Sequence, residues 1–203
     1  MQGYPKTVRL KDNRTAQLRP LAGTDFDKLY AFFMGLADGD RLFLRDDVSN
    51  PDLVRRWTKN LDFDRVIPIV AEDGEAIVAD GTLHFTTYGW SQHVAMLRLV
   101  VAESHRDVGL GTLVARELVG LAEERGIEKL QANVIDDDLN SLKMFEAMGF
   151  GKEAVIRDVA KDQHGEKHNL AIMINDVASL EQTMEDWISD SMLPSFRVPG
   201  AGA

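Results

Sequence analysis

The 203-residue chain contains no cysteine. That excludes disulfides, thiolate-bound metals and a thiol nucleophile, so no acyl-enzyme can form on sulfur. Long apolar runs are missing too. No stretch approaches the ~18 residues a membrane span needs, so no membrane partner is expected. The opening MQGYPKTVRL has neither the apolar core nor the small-residue cleavage site of a secretory signal, which points to the cytoplasm. Basic charge is in the minority: 23 Lys and Arg stand against 33 Asp and Glu, a formal net charge of −10. Nucleic-acid binders carry a basic footprint, so nucleic acid is not an expected partner. The acidic balance instead draws cationic partners, such as amines or Lys-rich segments. With 44% hydrophobic and 28% charged residues, the chain has the composition of a globular domain.

The apolar period changes along the chain. Val8–Leu10 and Ala16–Pro20 flank the turn-forming KDNRT and predict a β-hairpin. Phe26, Leu29, Phe32, Phe33 and Leu36 then recur at helical spacing, with Thr24 or Asp25 as the cap. RLFLRDDVSNP reads as a loop, and Pro51 opens a second helix through Trp57. RVIPIVAE and AIVADGTLHFTTY are β-branched runs joined at Asp73-Gly74, and QHVAMLRLVVAE is the next strand. From Gly109 the pattern is helical again, with Leu110, Leu113, Val114, Leu118, Leu121 and Ala122 on one stripe and Gly126 as the stop. KLQANVI is a strand, DDDLNSLKMFEAMGF a capped helix, and VIRDVAKD and HNLAIMIND two strands around QHGE. This order predicts an α/β fold with a mixed sheet and a right-handed crossover between the strands that flank the glycine-rich turn. Residues 176–203 predict an amphipathic helix, with Val177, Leu180, Met184, Trp187 and Ile188 on one face, followed by a flexible tail. A homodimer contact through that helix is expected.

One junction calls for an explanation. In RLVVAESHRDVGLGTL a strand hands over to a helix through two glycines. Glycine inside a helix costs about 1 kcal/mol against alanine. Bare backbone at a helix start offsets that cost if an anion docks on its free N–H groups. The third glycine of a dinucleotide fingerprint is missing, and so is the Gly-Lys-Ser/Thr of a Walker loop. What remains is R-x-x-G-x-G, from Arg106 to Gly111.

This motif, with the strand before it, the helix and strand after it, and a second helix ending in Gly149-Phe150, resembles the GNAT superfamily of acyl-CoA-dependent N-acyltransferases. The resemblance covers residues ~65 to ~175. It implies a mixed, mostly antiparallel sheet flanked by helices on both faces, and one acyltransferase domain over residues 1–175. It implies acetyl-CoA as co-substrate and an amine acceptor, either a protein lysine or a small molecule. The start of the chain, with its hairpin, Arg19-Pro20 and Phe-rich helix, adds a likeness to bacterial protein-lysine acetyltransferases.

The resemblance also assigns roles. Leu99, Val100 and Val101 pair their backbone with the pantetheine arm as if it were another strand. The pyrophosphate takes N–H groups of Asp107, Val108, Gly109, Leu110 and Gly111, with Thr112 nearby and charge from Arg106. Relatives carry Asn at the start of the next helix; here that position is Asp138, with Asn140 and Ser141 as substitutes. Phe145 stands on the cofactor side where many relatives carry an acidic Tyr, and Met96 where protein-lysine enzymes carry Glu. Both catalytic groups are therefore missing. Glu103, at the strand's end, is the catalytic candidate; His84, Tyr88, His93 or a water chain are the others. No metal is expected, since Asp136, Asp137 and Asp138 are explained by helix capping and the dipole. An acyl-CoA sensor without turnover is the alternative function, and a scaffold that uses the fold for protein contacts is a third.

Overall fold

The computed structural model describes residues 3–42, 44–162, 164–180 and 182–183. Eight strands form one sheet: β1 (Lys6–Arg9), β2 (Thr15–Pro20), β3 (Val66–Asp73), β4 (Ala76–Phe85), β5 (Val94–Val101), β6 (Lys129–Ile135), β7 (Gly151–Lys161) and β8 (Lys167–Asp176). Their spatial order is β1-β2-β3-β4-β5-β6-β8-β7. Every neighbouring pair is antiparallel except β5 and β6, which are parallel and joined through a helix. The helices are α1 (Phe26–Met34), α2 (Asp38–Leu42), α3 (Pro51–Lys59), α4 (Leu110–Glu124) and α5 (Leu139–Ala147).

Two apolar clusters lie on opposite faces of the sheet. Ile67, Ile69 and Leu83 pack with Leu110, Val114 and Leu118 of α4. Leu29, Phe32 and Phe33 of α1 and Val54 of α3 pack on Val70 and Ile77. The expected α/β architecture with helices on both faces is the one observed. The close seat of α4 depends on Gly81 in β4: a Cβ there would lie 2.6 Å from Val114 Cγ1 and 2.9 Å from Leu118 Cδ1. Gly81→Ala is therefore expected to destabilise the fold by about 1–3 kcal/mol through overpacking. The midpoint of urea unfolding checks this.

Several boundaries differ from the sequence reading. The segment expected to be a loop before Pro51 begins inside the short helix α2. Helix α3 continues two residues past Trp57, and Asn50 caps it by accepting from the Asp52 N–H. The β3–β4 turn falls on Gly74-Glu75, one residue later than expected. Strand β4 stops at Phe85, and β7 starts at Gly151, four residues before Val155. Asp25 stands at the N-cap of α1 but its side chain makes no cap bond; Arg19 and the Ala22 N–H claim the carboxylate instead. After β8, Val177 and Leu180 are buried in the chain's own core, so this part of the expected partner-facing stripe is used internally. Met184, Trp187 and Ile188 lie outside the described residues.

Candidate active site

Strands β5 and β6 pair only from Val94 to Met96, against Lys129 to Gln131. Both strands continue, to Val101 and Ile135, without further pairing to each other among the described residues. The two strands therefore part, and a cavity of about 1010 Å³ opens where they diverge. The backbone of β5 from Leu97 onward is paired to β4 on one side and faces this opening on the other. An extended ligand with amide groups meets such an edge as a further strand.

At the end of β5 a 3-10 turn (Glu103–His105) leads into the glycine turn. Asp107 and Gly109 both take positive φ, 61° and 84°. Gly109 is the N-cap of α4 in the left-handed region, with no side-chain cap bond. The first N–H groups of α4 have no intrahelical partner by construction, and the helix dipole adds positive charge there. Asp107, Gly109, Gly111 and Thr112 line the cavity beside this end. Val108 and Leu110 do not line it: Leu110 is fully buried in the core and Val108 packs against it. The Val108 carbonyl accepts from the Lys11 N–H, which ties the turn to the β1–β2 hairpin.

The turn is braced by a group at the cavity's edge that the sequence did not announce. His105 is buried, with Nε2 2.9 Å from Arg14 and 3.0 Å from Asp73, and Nδ1 2.9 Å from the Ser104 hydroxyl. Arg14 also donates to the Ser104 carbonyl. Arg106 is not free to act as an isolated cation: it pairs with Asp40 at 2.7 Å and donates to the Val101 carbonyl.

The far wall comes from α5. Asp138 caps it, accepting from the Ser141 N–H at 3.1 Å and the Ser141 hydroxyl at 2.5 Å. Asp138, Asn140 and Ser141 all line the cavity, so the family's helix-start position is occupied by an Asp-Ser pair. Asp136 pairs with Lys152 and Asp137 with His168. Phe145 is buried and meets Phe150 edge-on, so its ring is a wall and carries no proton.

The catalytic candidates fare differently. Glu103 is exposed and is not among the residues lining either cavity. Tyr88 and His93 are exposed on the β4–β5 connection, away from both cavities, and so is Trp90. His84 does line a chamber. This second cavity, of about 620 Å³, lies against β4 and β5 under α1 and α3. It shares Leu44, Arg45, Arg98, Leu99 and Val100 with the first, so the two meet at β5. His84 Nε2 is 3.0 Å from the Thr82 hydroxyl, and burial, aided by the nearby Arg98 charge, lowers its pKa to about 4. Asp80, two residues before Thr82, shares this chamber, and burial pushes its carboxyl up to about 7 against the pull of Arg98. Sequence reasoning passed over Asp80. The signal was there: a lone acid inside the apolar run AIVADGTLHF.

Comparison with known proteins identifies the family. The model of the acetyltransferase (GNAT) family matches residues 33–150, more than half of the chain. The chain belongs to the GNAT acetyltransferase family. It is 29% identical over 106 residues to YwnH of Bacillus subtilis (strain 168), a proposed phosphinothricin acetyltransferase; the match spans 51% of this chain and 64% of the relative. It is 27% identical over 121 residues to the streptothricin acetyltransferase of Streptomyces lavendulae, spanning 55% and 64%. The chain thus covers a little under two thirds of these relatives' length. Among solved structures, the GNAT domain of S. lividans PAT superposes with a TM-score of 0.70 at 20% identity, over 84% of this chain and 96% of that domain. That likeness is one of fold. Among the described residues no helix is long and apolar enough to cross a membrane.

Proposed function

We propose that this protein transfers the acetyl group of acetyl-CoA to a primary amine of a small molecule by direct attack. The observation that carries the reading is the parting of β5 from β6 directly beside a bare helix N-terminus. The opened edge at Leu99–Val101 suits the amides of the pantetheine arm, and the turn from Asp107 to Gly111 suits the pyrophosphate. Arg106 contributes by bracing the turn through Asp40 and the Val101 carbonyl. Asp138, Asn140 and Ser141 border the cofactor from the α5 side. The small-molecule acceptor is favoured by the names of two relatives, one a proposed phosphinothricin acetyltransferase and one a streptothricin acetyltransferase, and by a second chamber walled by Leu29, Phe33 and Trp57.

Direct transfer has a simple balance. The ammonium loses one proton, and the amine nitrogen attacks the thioester carbonyl. The carbon–sulfur bond breaks, and the nitrogen's second proton leaves with the CoA thiol. No tyrosine is needed for that last step if the nitrogen supplies the proton.

Free-thiol release from acetyl-CoA, measured against polyamines, amino acids, aminoglycosides and Lys-rich peptides, tests the reading. A cysteine-free protein adds no thiol of its own. Amine-dependent release from a small molecule is the expected result. Release only with peptides moves the acceptor to protein lysine. A melting temperature raised by acetyl-CoA without any release marks a sensor instead.

A further inference from the structure

We propose that Asp80 is the group that receives the acceptor's ammonium ion and takes its proton, in the chamber between β4, β5 and the α1–α3 layer. The inference rests on the transferase reading above and assigns it a catalytic residue.

The argument begins with strand alternation. Asp80, Thr82 and His84 occupy one face of β4, opposite Val100, Arg98 and Met96 on β5. The other face of β4, at Ala79, Gly81 and Leu83, is spent on packing against the α4 side. Asp80 therefore stands beside Val100, at the stretch of β5 where the two cavities meet. An amine held by its carboxylate lies next to the edge that carries the thioester arm.

The surroundings fit a cation with an apolar body. Leu29, Phe33 and Trp57 wall the chamber. Its charged and titratable groups are Arg45 and Asp46 from the loop before α3, Asp62 and Arg65 from the turn before β3, His84, and Arg98. None comes from α1 or α3. The cation whose charge acts on Asp80 is Arg98; its Nη1 donates to Asp46 at 2.9 Å, while its buried Nε has no hydrogen-bond partner among the described residues. No hydrogen bond occupies the Asp80 carboxylate among the described residues. Its lone pairs are thus open to a ligand.

The choice between the two bases in the chamber follows from proton affinity. A general base works best with a pKa near the working pH. His84, held near 4, is neutral at pH 7 but a weak proton acceptor. Asp80, pushed up to about 7, binds a proton far better than His84 while still ionising near neutral pH. The proton it takes from the ammonium passes to solvent after each cycle.

Asp80→Asn keeps shape and removes the base. With an acceptor amine whose pKa is above 9, wild-type kcat/KM is expected to rise to a plateau above pH 7. In Asp80→Asn it should fall about 100-fold or more at pH 7.5 and keep rising towards the amine's own pKa. Acetyl-CoA affinity by calorimetry should stay within threefold, which also certifies the fold. His84→Gln should keep the plateau, and Asp80→Glu should restore part of it. Activity of Asp80→Asn within threefold of wild type, or loss of the plateau in His84→Gln alone, overturns the assignment. Wild-type protein that binds acetyl-CoA but acetylates no amine overturns the transferase reading itself, a result distinct from either.

Discussion

Valine in place of Gly109 or Gly111 is expected to weaken acetyl-CoA binding by about 100-fold, roughly 2.7 kcal/mol. The two positions fail for different reasons. Gly109 sits at φ 84°, where an L-residue costs about 1–2 kcal/mol and a β-branched one is a true outlier. Relief requires the peptide planes at the start of α4 to rotate, and the N–H groups then no longer converge. Gly111 has negative φ but little room. A Cβ there would lie 3.3 Å from Met144 Sδ, 3.5 Å from Val101 Cγ2 and 3.7 Å from Leu99 Cδ2. The two further methyl groups of valine must push α4 away from β5 and α5, the walls of the cavity proposed for the cofactor. Gly120, on the same helix, is the control: nothing lies within 4 Å of its Cβ position. Gly120→Ala should stabilise the helix by about 1 kcal/mol and leave affinity alone. Titration calorimetry with acetyl-CoA reads all three. Affinity within threefold of wild type in Gly111→Val, with normal melting, would remove the turn from the cofactor site.

The glycine turn and the elements around it were legible in the sequence because their signals are local. A glycine pair between a strand and a helix states a backbone conformation, and Gly109 adopts one that only glycine takes readily. The cap at Asp138 and the stop at Gly126 are equally local. The widening between β5 and β6 is not local: it depends on where two distant strands stop pairing, and neither strand's composition marks that point. Sequence placed Leu99–Val101 at the opening through family likeness, and the register supplies the physical cause.

Glu103 stands away from both cavities for a related reason. Glu103 attracted notice because it follows the strand directly, but strand-end position does not aim a side chain. The 3-10 turn leaves it exposed. Tyr88 and His93 belong to the connection between β4 and β5, where both are exposed. Asp80 was hidden by its neighbours: inside an apolar strand it looked like an interruption. Only pairing with β5 reveals that Asp80, Thr82 and His84 share one face beneath α1 and α3. A carboxyl pushed up to about 7 by burial is itself a departure from what stability alone selects. Its ionisation opposes folding as pH rises from the ordinary carboxylate range through 7, so a protein retaining it there gives up stability in that window.

Loss of Arg19 is the largest stability effect expected. Its guanidinium, on β2, reaches Asp25 at 2.6 and 2.9 Å and Glu72 of β3 at 2.8 and 2.6 Å. Asp25 is 5% exposed and also accepts from the Ala22 N–H; Glu72 is joined by Lys28 of α1 at 3.1 Å. One cation thus fastens two strands to the start of α1. Arg19→Met removes it and leaves two carboxylates in a largely dry site, which costs about 3–5 kcal/mol. For a chain of this size that lowers Tm by about 10 °C. The pH dependence separates lost charge from lost packing. Arg19 hydrogen bonds, more than the Lys28 pairing, hold the Glu72 carboxyl below its ordinary value despite partial burial. A depressed carboxyl contributes stability above the ordinary carboxylate range, and that contribution is lost as pH falls through the folded-state value. Wild type should therefore lose stability in acid more steeply than Arg19→Met, and the two curves should converge below that range. Thermal melts from pH 3 to 7 show it. The consequence reaches the proposed site, because Leu29 and Phe33 of α1 wall the chamber assigned to the acceptor. A helix freed from Arg19 should raise KM for the amine while leaving acetyl-CoA affinity unchanged. A parallel fall in both, or a Tm within about 2 °C of wild type, would show that α1 is held by its apolar face alone.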